Sequence, residues 1–241
     1  MQRPRREEFI LDVRRAAKML QKPDVEGNSD AVNMDAVSKI LHGAALWLTP
    51  KVVERYHVED FADWQKDQQD RLSAAVEQFR EIAKDVPPKK PATVAQYTEG
   101  GRRFRHLIDV LGEMVLEEWM QAIHAVEKQA EAWSAEAEWR TRRVNKKVSE
   151  SLIGIYDAPQ LLIFAEPNLY VLDPLARFIP GGQGSFDIAI QPSYYTTSLY
   201  RDDALNWYVH LEIRNGFSHG KRVPWDKDAF RECLEQLRVF V

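Results

Sequence analysis

Between Arg102 and Val148 the chain carries no proline and a single glycine, Gly112, and nothing else in the sequence restricts the fold as much. Within that stretch Phe104, Leu107, Ile108, Leu111, Val115, Trp119, Ile123, Val126, Ala130, Trp133 and Ala137 recur at three- and four-residue steps, the spacing of one apolar stripe on a helix. A continuous helix over 102–148 would be roughly 70 Å long at about 1.5 Å per residue. That is longer than a small domain is wide, so the helix projects as an arm, pairs with another chain, or breaks near Gly112. The stripe is more apolar surface than a chain of 241 residues easily covers. It predicts a homodimer or a partner protein bound through the long helix. The closing run of Arg140, Arg142, Arg143, Lys146 and Lys147 reads as a solvated face that also complements the helix dipole.

The residues before the arm also read as helical. Phe9, Ile10, Val13, Ala17 and Leu20 keep helical spacing until Pro23, and Met34–Leu48 repeats the pattern. Thr49-Pro50 supplies a cap followed by a proline that fits a first helical turn. Leu72, Ala75, Val76, Phe79, Ile82 and Ala83 form the clearest stripe, which Val86-Pro-Pro-Lys-Lys-Pro-Ala92 ends as an ordered connector.

After Glu150 the composition changes. Five of the twelve prolines lie between Pro159 and Pro192, and short apolar runs at 160–165, 168–172 and 186–190 alternate with turn residues, as in an antiparallel meander. Glu166-Pro-Asn suits a tight hairpin, and Pro180-Gly-Gly-Gln-Gly-Ser185 a hairpin loop. That loop lacks the Lys-Ser/Thr of a phosphate-binding loop. Residues 199–213 fit either a strand, with Leu205, Trp207, Val209 and Leu211 alternating, or a helix capped by Asp202 or Asp203. Asp226 caps a final helix with Phe230, Leu234, Leu237 and Val241 inward. The expected fold is α+β: a mainly helical region 1–150 with the long arm over about 102–148, then a small antiparallel sheet unit, 151–241, closed by a C-terminal helix.

Charge and cysteine content narrow the function classes. Lys and Arg number 33 against 37 Asp and Glu, a net of -4, so the whole molecule has no field that gathers nucleic acid or anionic lipid. The lone Cys233 excludes an intrachain disulfide, and no run of about 18 apolar residues would cross a bilayer. The basic, amphipathic start lacks the apolar core of a signal peptide, so a cytoplasmic location and no membrane association are expected. His42, His57, His106 and His124 each sit alone on helical patterns, so no metal site and no cofactor are expected.

One motif carries chemistry. Glu212-Ile-Arg214-Asn215-Gly216-Phe217-Ser218-His219-Gly220 sets an arginine and a histidine five residues apart, about one turn on or just beyond a helix. An imidazole that titrates near neutrality can move the 2′-hydroxyl or leaving-group proton of RNA, while a permanent guanidinium holds the developing phosphorane charge. Arg-Asn-x-x-x-His here resembles the signature of the HEPN superfamily of all-α ribonucleases. The resemblance covers about the last 40 residues. It implies Arg214 and His219 as catalytic residues, Asn215 as the residue fixing local geometry, RNA as substrate, and two protomers sharing a composite site, of the kind found in defence or toxin-like systems. A structural role for the same residues remains open, with Arg214 on a carboxylate, Asn215-Gly216 in a turn and His219 at a helix end. A non-enzymatic interaction or assembly protein using the helical arm is the alternative function. A third reading pairs Asp187 with Glu212 and Arg214, which loosely resembles the acidic strand pair of PD-(D/E)xK nucleases, with Arg214 where a lysine stands.

Overall fold

The computed structural model describes residues 7–11, 13–14, 66–85, 94–193, 195–211 and 220–239. Three described helices, α1 (Lys66–Asp85), α2 (Val94–Glu136) and α3 (Lys227–Arg238), accompany seven strands. These are β1 (Arg140–Glu150), β2 (Gly154–Ala165), β3 (Asn168–Ala176), β4 (Gly184–Gln191), β5 (Thr196–Arg201), β6 (Trp207–Leu211) and β7 (Lys221–Pro224). Residues 7–11, 13 and 14 are also helical. The chain divides into two compact units: Met1–Val115 with Ser151–Gly154, and Leu116–Glu150 with Ile155–Val241. Helix α2 runs through the division at Val115.

In the first unit, Leu72 and Ala75 of α1, Leu107, Leu111, Met114 and Val115 of α2, and Phe9, Ile10 and Val13 are all buried. Gly112 does not break the helix. A Cβ there would collide with the carbonyl oxygen of Leu152, so the glycine admits the turn after β1 against the helix backbone. The Arg14 Nε donates to Ser151 Oγ at 3.0 Å, and Arg71 pairs with Glu113 at 2.6 Å.

The second unit is built on the sheet, whose strands follow chain order from β1 to β7. Pairing from β2 onward is antiparallel, with Leu161↔Leu172, Leu172↔Ile188, Phe186↔Leu199, Leu199↔Val209 and Val209↔Val223 in register. Alternation then places Leu161, Ile163, Tyr170, Leu172, Phe186, Ile188, Leu199 and Val209 on one buried face. The helices pack there. Trp119 of α2 meets Phe186 and Trp207 at centroid distances of 6.0 and 6.2 Å, and the Tyr170 hydroxyl donates to the Leu234 carbonyl of α3 at 3.1 Å. Asp226 caps α3 as expected, accepting from the Ala229 N–H at 2.8 Å.

This overturns the expected fold in three respects. The sheet has seven strands, far more than a small closing unit, and it begins at Arg140, inside the stretch assigned to the helical arm. The helix ends at Glu136, where the Ala137, Glu138 and Trp139 N–H groups donate back to Ser134 and Ala135 carbonyls and Glu138 takes φ 60. No glycine marks that stop. Val144 and Val148, four apart, fit a strand as well as a helix, because four is a multiple of two and close to 3.6. Finally, Trp119, Ile123, Val126 and Ala130 are all at most 1 % exposed within the single chain. This part of the apolar stripe is therefore covered within the single chain.

Of the competing readings of 199–213, the helix fails within the described residues: β5 and β6 are strands joined by a turn at 202–206, and 212 and 213 lie outside the described residues. Leu205 sits in the β5–β6 turn with φ 66, and Asp202 Oδ1 accepts from the Ala204 and Asn206 N–H groups at 2.9 and 3.0 Å. Asp202 organises a turn rather than capping a helix. Residues 34–50, 86–92 and Val241, on which sequence expectations also fell, lie outside the described residues.

Candidate functional site on the open sheet face

Arg214, Asn215 and His219, with Glu212, fall in 212–219 and lie outside the described residues. Their two flanks are described, and both are strands. Leu211 at the end of β6 pairs with Lys221 at the start of β7, and one step further His210 pairs with Arg222. The motif therefore joins two neighbouring antiparallel strands, whereas the resemblance implied a helical approach.

Beside that junction, on the face away from α2 and α3, the strand period brings Tyr200 of β5 opposite Tyr208 of β6. Their rings stack at a centroid distance of 6.0 Å and an interplanar angle of 29°. The Arg222 guanidinium of β7 lies 3.6 Å from the Tyr208 centroid and 5.2 Å from that of Tyr200. Asp202 Oδ2 accepts from Arg222 Nη2 at 3.0 Å and holds it in place, while the arginine side chain stays 46 % exposed. Burial pushes the Tyr200 hydroxyl above its usual pKa, against the opposing pull of Arg222. His210 is exposed, and a Cβ at Gly220 would collide with its ring, so the chain entering β7 passes close against the imidazole.

Further along the same face Asp187 of β4 stands opposite Asp173 of β3 and Ser198 of β5. Lys146 of β1 forms an ion pair with Asp173, and Ser198 Oγ donates to Asp187 Oδ1 at 3.2 Å. Burial raises the pKa of Asp187, and the charge of Asp173 adds to the rise; Ser198 and Lys146 oppose it. Two carboxylates and a lysine thus meet, but with Asp173 and Lys146 in place of the Glu212 and Arg214 foreseen. Strand β5 separates β4 from β6. Among the described residues no group of three or more His, Cys, Asp or Glu side chains could hold a metal ion.

Beneath the opposite face lies a buried polar network. Arg177, 0 % exposed, donates through Nη1 to Gln183 O at 3.0 Å and Gln183 Oε1 at 2.5 Å. Glu118 of α2 approaches Arg177 at 3.6 Å and pairs with Arg201 at 3.0 Å. Glu150 accepts from the Arg177 and Phe178 N–H groups and from the Tyr156 hydroxyl, which itself accepts from Trp119 Nε1 at 2.9 Å. The glycine-rich loop is tied down here, with Gln183 N–H donating to the Arg201 carbonyl at 2.7 Å. Its role is structural.

The basic run of β1 is largely neutralised. Arg140 pairs with Glu166, Arg143 with Glu127 and Glu131, Lys146 with Asp173, and Lys147 with Asp157. Cys233 is buried, and burial pushes its thiol pKa up, which removes it as a nucleophile. No helix among the described residues is long and apolar enough to cross a membrane. Comparison of the chain with protein-family models, with curated proteins and with solved structures gives no match.

Proposed function

We propose that the chain is a metal-independent endoribonuclease in which His219 transfers the proton and Arg214 clamps the phosphate. Support comes from the Arg-Asn-x-x-x-His spacing and from the basic residues at its two ends. The observation that carries the reading is the β6–β7 pairing, which sets His210, Lys221 and Arg222 at the base of the motif segment. The reading does not depend on the helical fold of the HEPN superfamily, since strands flank the motif here.

In the reaction the 2′-hydroxyl oxygen attacks the adjacent phosphorus and loses its proton to a base. The bond from phosphorus to the 5′-oxygen breaks, and that oxygen takes up a proton. The products are a 2′,3′-cyclic phosphate and a free 5′-hydroxyl. The imidazole serves the proton transfers near neutral pH, and the guanidinium matches the non-bridging oxygens as charge builds on them.

The test is incubation of the pure protein with a mixed RNA pool in the presence of EDTA. Cleavage that leaves cyclic phosphate ends, and that falls about a hundredfold to ten-thousandfold in His219→Ala, is expected. Arg214→Lys should also be poor, since a point charge cannot make a planar two-pronged contact. Absence of cleavage, dependence on magnesium, or equal activity of the alanine variant would refute the proposal.

A second reading, a non-enzymatic interaction protein, is favoured by a different part of the same face. Leu162 pairs with Val171 and Phe164 with Leu169, giving a half-buried apolar block on the side away from α2 and α3. A partner would dock on the sheet rather than on the helix.

A further inference from the structure

We infer that Tyr200, Tyr208 and Arg222 form a stacking platform for an unpaired base of single-stranded RNA, with His210 beside it to meet the phosphate. The inference rests on the ribonuclease reading and names how the substrate is held. The two rings come from neighbouring strands and lie nearly parallel, at 29° with centroids 6.0 Å apart, so they form one aromatic block. The guanidinium laid over Tyr208 extends that surface with a plane on which a base can stack. Asp202 fixes the guanidinium from one side, so little side-chain freedom is lost when a base arrives.

The chemistry selects the ligand. Only an unpaired base can lay its ring face on a sheet, because in a duplex both faces are already stacked. A cation that is 46 % exposed on an aromatic pair suits an anionic, aromatic polymer better than an apolar peptide. His210 is the cross-strand partner of Arg222, one residue before the end of β6, so a strand crossing the tyrosines would pass the imidazole.

The experiment is fluorescence anisotropy with a short fluorescein-labelled oligouridylate, using the His219→Ala protein so that the probe stays intact. Tyr208→Ala in that background should bind about five- to hundredfold more weakly, the range of one lost base–aromatic stack. Tyr208→Phe should restore binding to near the parent, whereas Tyr208→Leu, which keeps apolar bulk without a ring, should not. Arg222→Ala, which removes the stacking plane over Tyr208, should also weaken binding, within the same range of about five- to hundredfold. Thermal unfolding of each variant confirms that it folds. Unchanged binding by Tyr208→Ala, full rescue by Tyr208→Leu, or equal binding of a blunt duplex would overturn the platform. If the wild-type protein binds the probe through the tyrosines yet never cuts RNA, the platform stands and the ribonuclease reading falls. If it cuts RNA with a KM untouched by Tyr200→Ala, Tyr208→Ala and Arg222→Ala, the ribonuclease stands and the platform falls.

Discussion

Replacing Glu127 by glutamine should stabilise the protein above neutral pH and do almost nothing below about pH 5. Glu127 lies on α2 with its side chain wholly buried, and neither carboxylate oxygen accepts a hydrogen bond. Arg143 Nε of β1 comes within 3.2 Å, but the same guanidinium also pairs through Nη2 with Glu131 at 2.8 Å, and His124 Nδ1 stands 3.7 Å away. Burial pushes the Glu127 pKa up to about 7, with the Arg143 charge opposing the rise and the Glu131 charge adding to it. Against its ordinary 4.5, that corresponds to roughly 3 kcal/mol. The folded state holds a proton that the unfolded chain has already lost between these two values. Stability from this group is therefore complete below 4.5, declines as pH rises through the window, and is gone above about 7. Glutamine keeps the shape and cannot ionise. Its gain at about pH 8 should be 1–3 kcal/mol, the lower figure allowing for the Arg143 attraction that is lost with the charge. Urea unfolding at several pH values, wild type against variant, measures the difference directly. A difference that is the same at all pH values, or a variant less stable than wild type at high pH, would show that the carboxylate is comfortably ionised against Arg143, and the reasoning from burial would fail.

Two further substitutions test the packing that holds the sheet to α2. Tyr156→Phe removes the hydroxyl that links Trp119 Nε1 to Glu150, leaving a fully buried indole N–H without its acceptor, and should cost about 1–3 kcal/mol in urea unfolding; a loss below about 0.5 kcal/mol would show that the link is dispensable. Gly184→Ala puts a methyl group into the Trp119 ring at a residue with φ +156, so it should destabilise by about 1–3 kcal/mol or more, and a variant with the wild-type unfolding midpoint would contradict the placement of that ring.

How much of this fold can be read from sequence depends on whether two periods separate. In 160–165, 168–172 and 186–190 apolar residues cluster between turn formers. These runs lie within β2, β3 and β4, with the Glu166-Pro turn joining Ala165 to Asn168 as expected. The Leu72 and Ala75 stripe likewise belongs to α1, and Asp226 accepts its capping hydrogen bond. In β1 the signal fails. Its nine polar or charged residues after Trp139 and its valines four apart carry no local mark of a strand, and the left-handed residue that ends α2 is Glu138 rather than glycine. What makes 140–150 a strand is its neighbour β2 and the carboxylates that receive its cations, Glu127 and Glu131 from α2 and Asp173 from β3. Those are tertiary facts. The same holds for the helix stripe, which looked uncovered only because the face that buries it lies far along the chain, at Phe186 and Trp207.

The site divides along the same line. Arg214 and His219 stand out because their spacing is local, whereas Tyr200, Tyr208 and Arg222 become one feature only when β5, β6 and β7 are in register. A tyrosine at 200 and another at 208 are eight residues apart, a spacing that on a helix or a single strand would leave them more than about 10 Å from each other. The turn at Asp202–Asn206 folds them back until they face each other, and the same Asp202 then reaches across to hold Arg222. One acidic side chain thus sets both the hairpin that pairs the rings and the cation that covers them. Changing Asp202 would disturb the turn and the guanidinium together, whereas changing Arg222 leaves the turn hydrogen bonds of Asp202 Oδ1 in place. The arginine is therefore the cleaner probe of binding, and the aspartate the residue that couples the fold of the hairpin to the surface it presents.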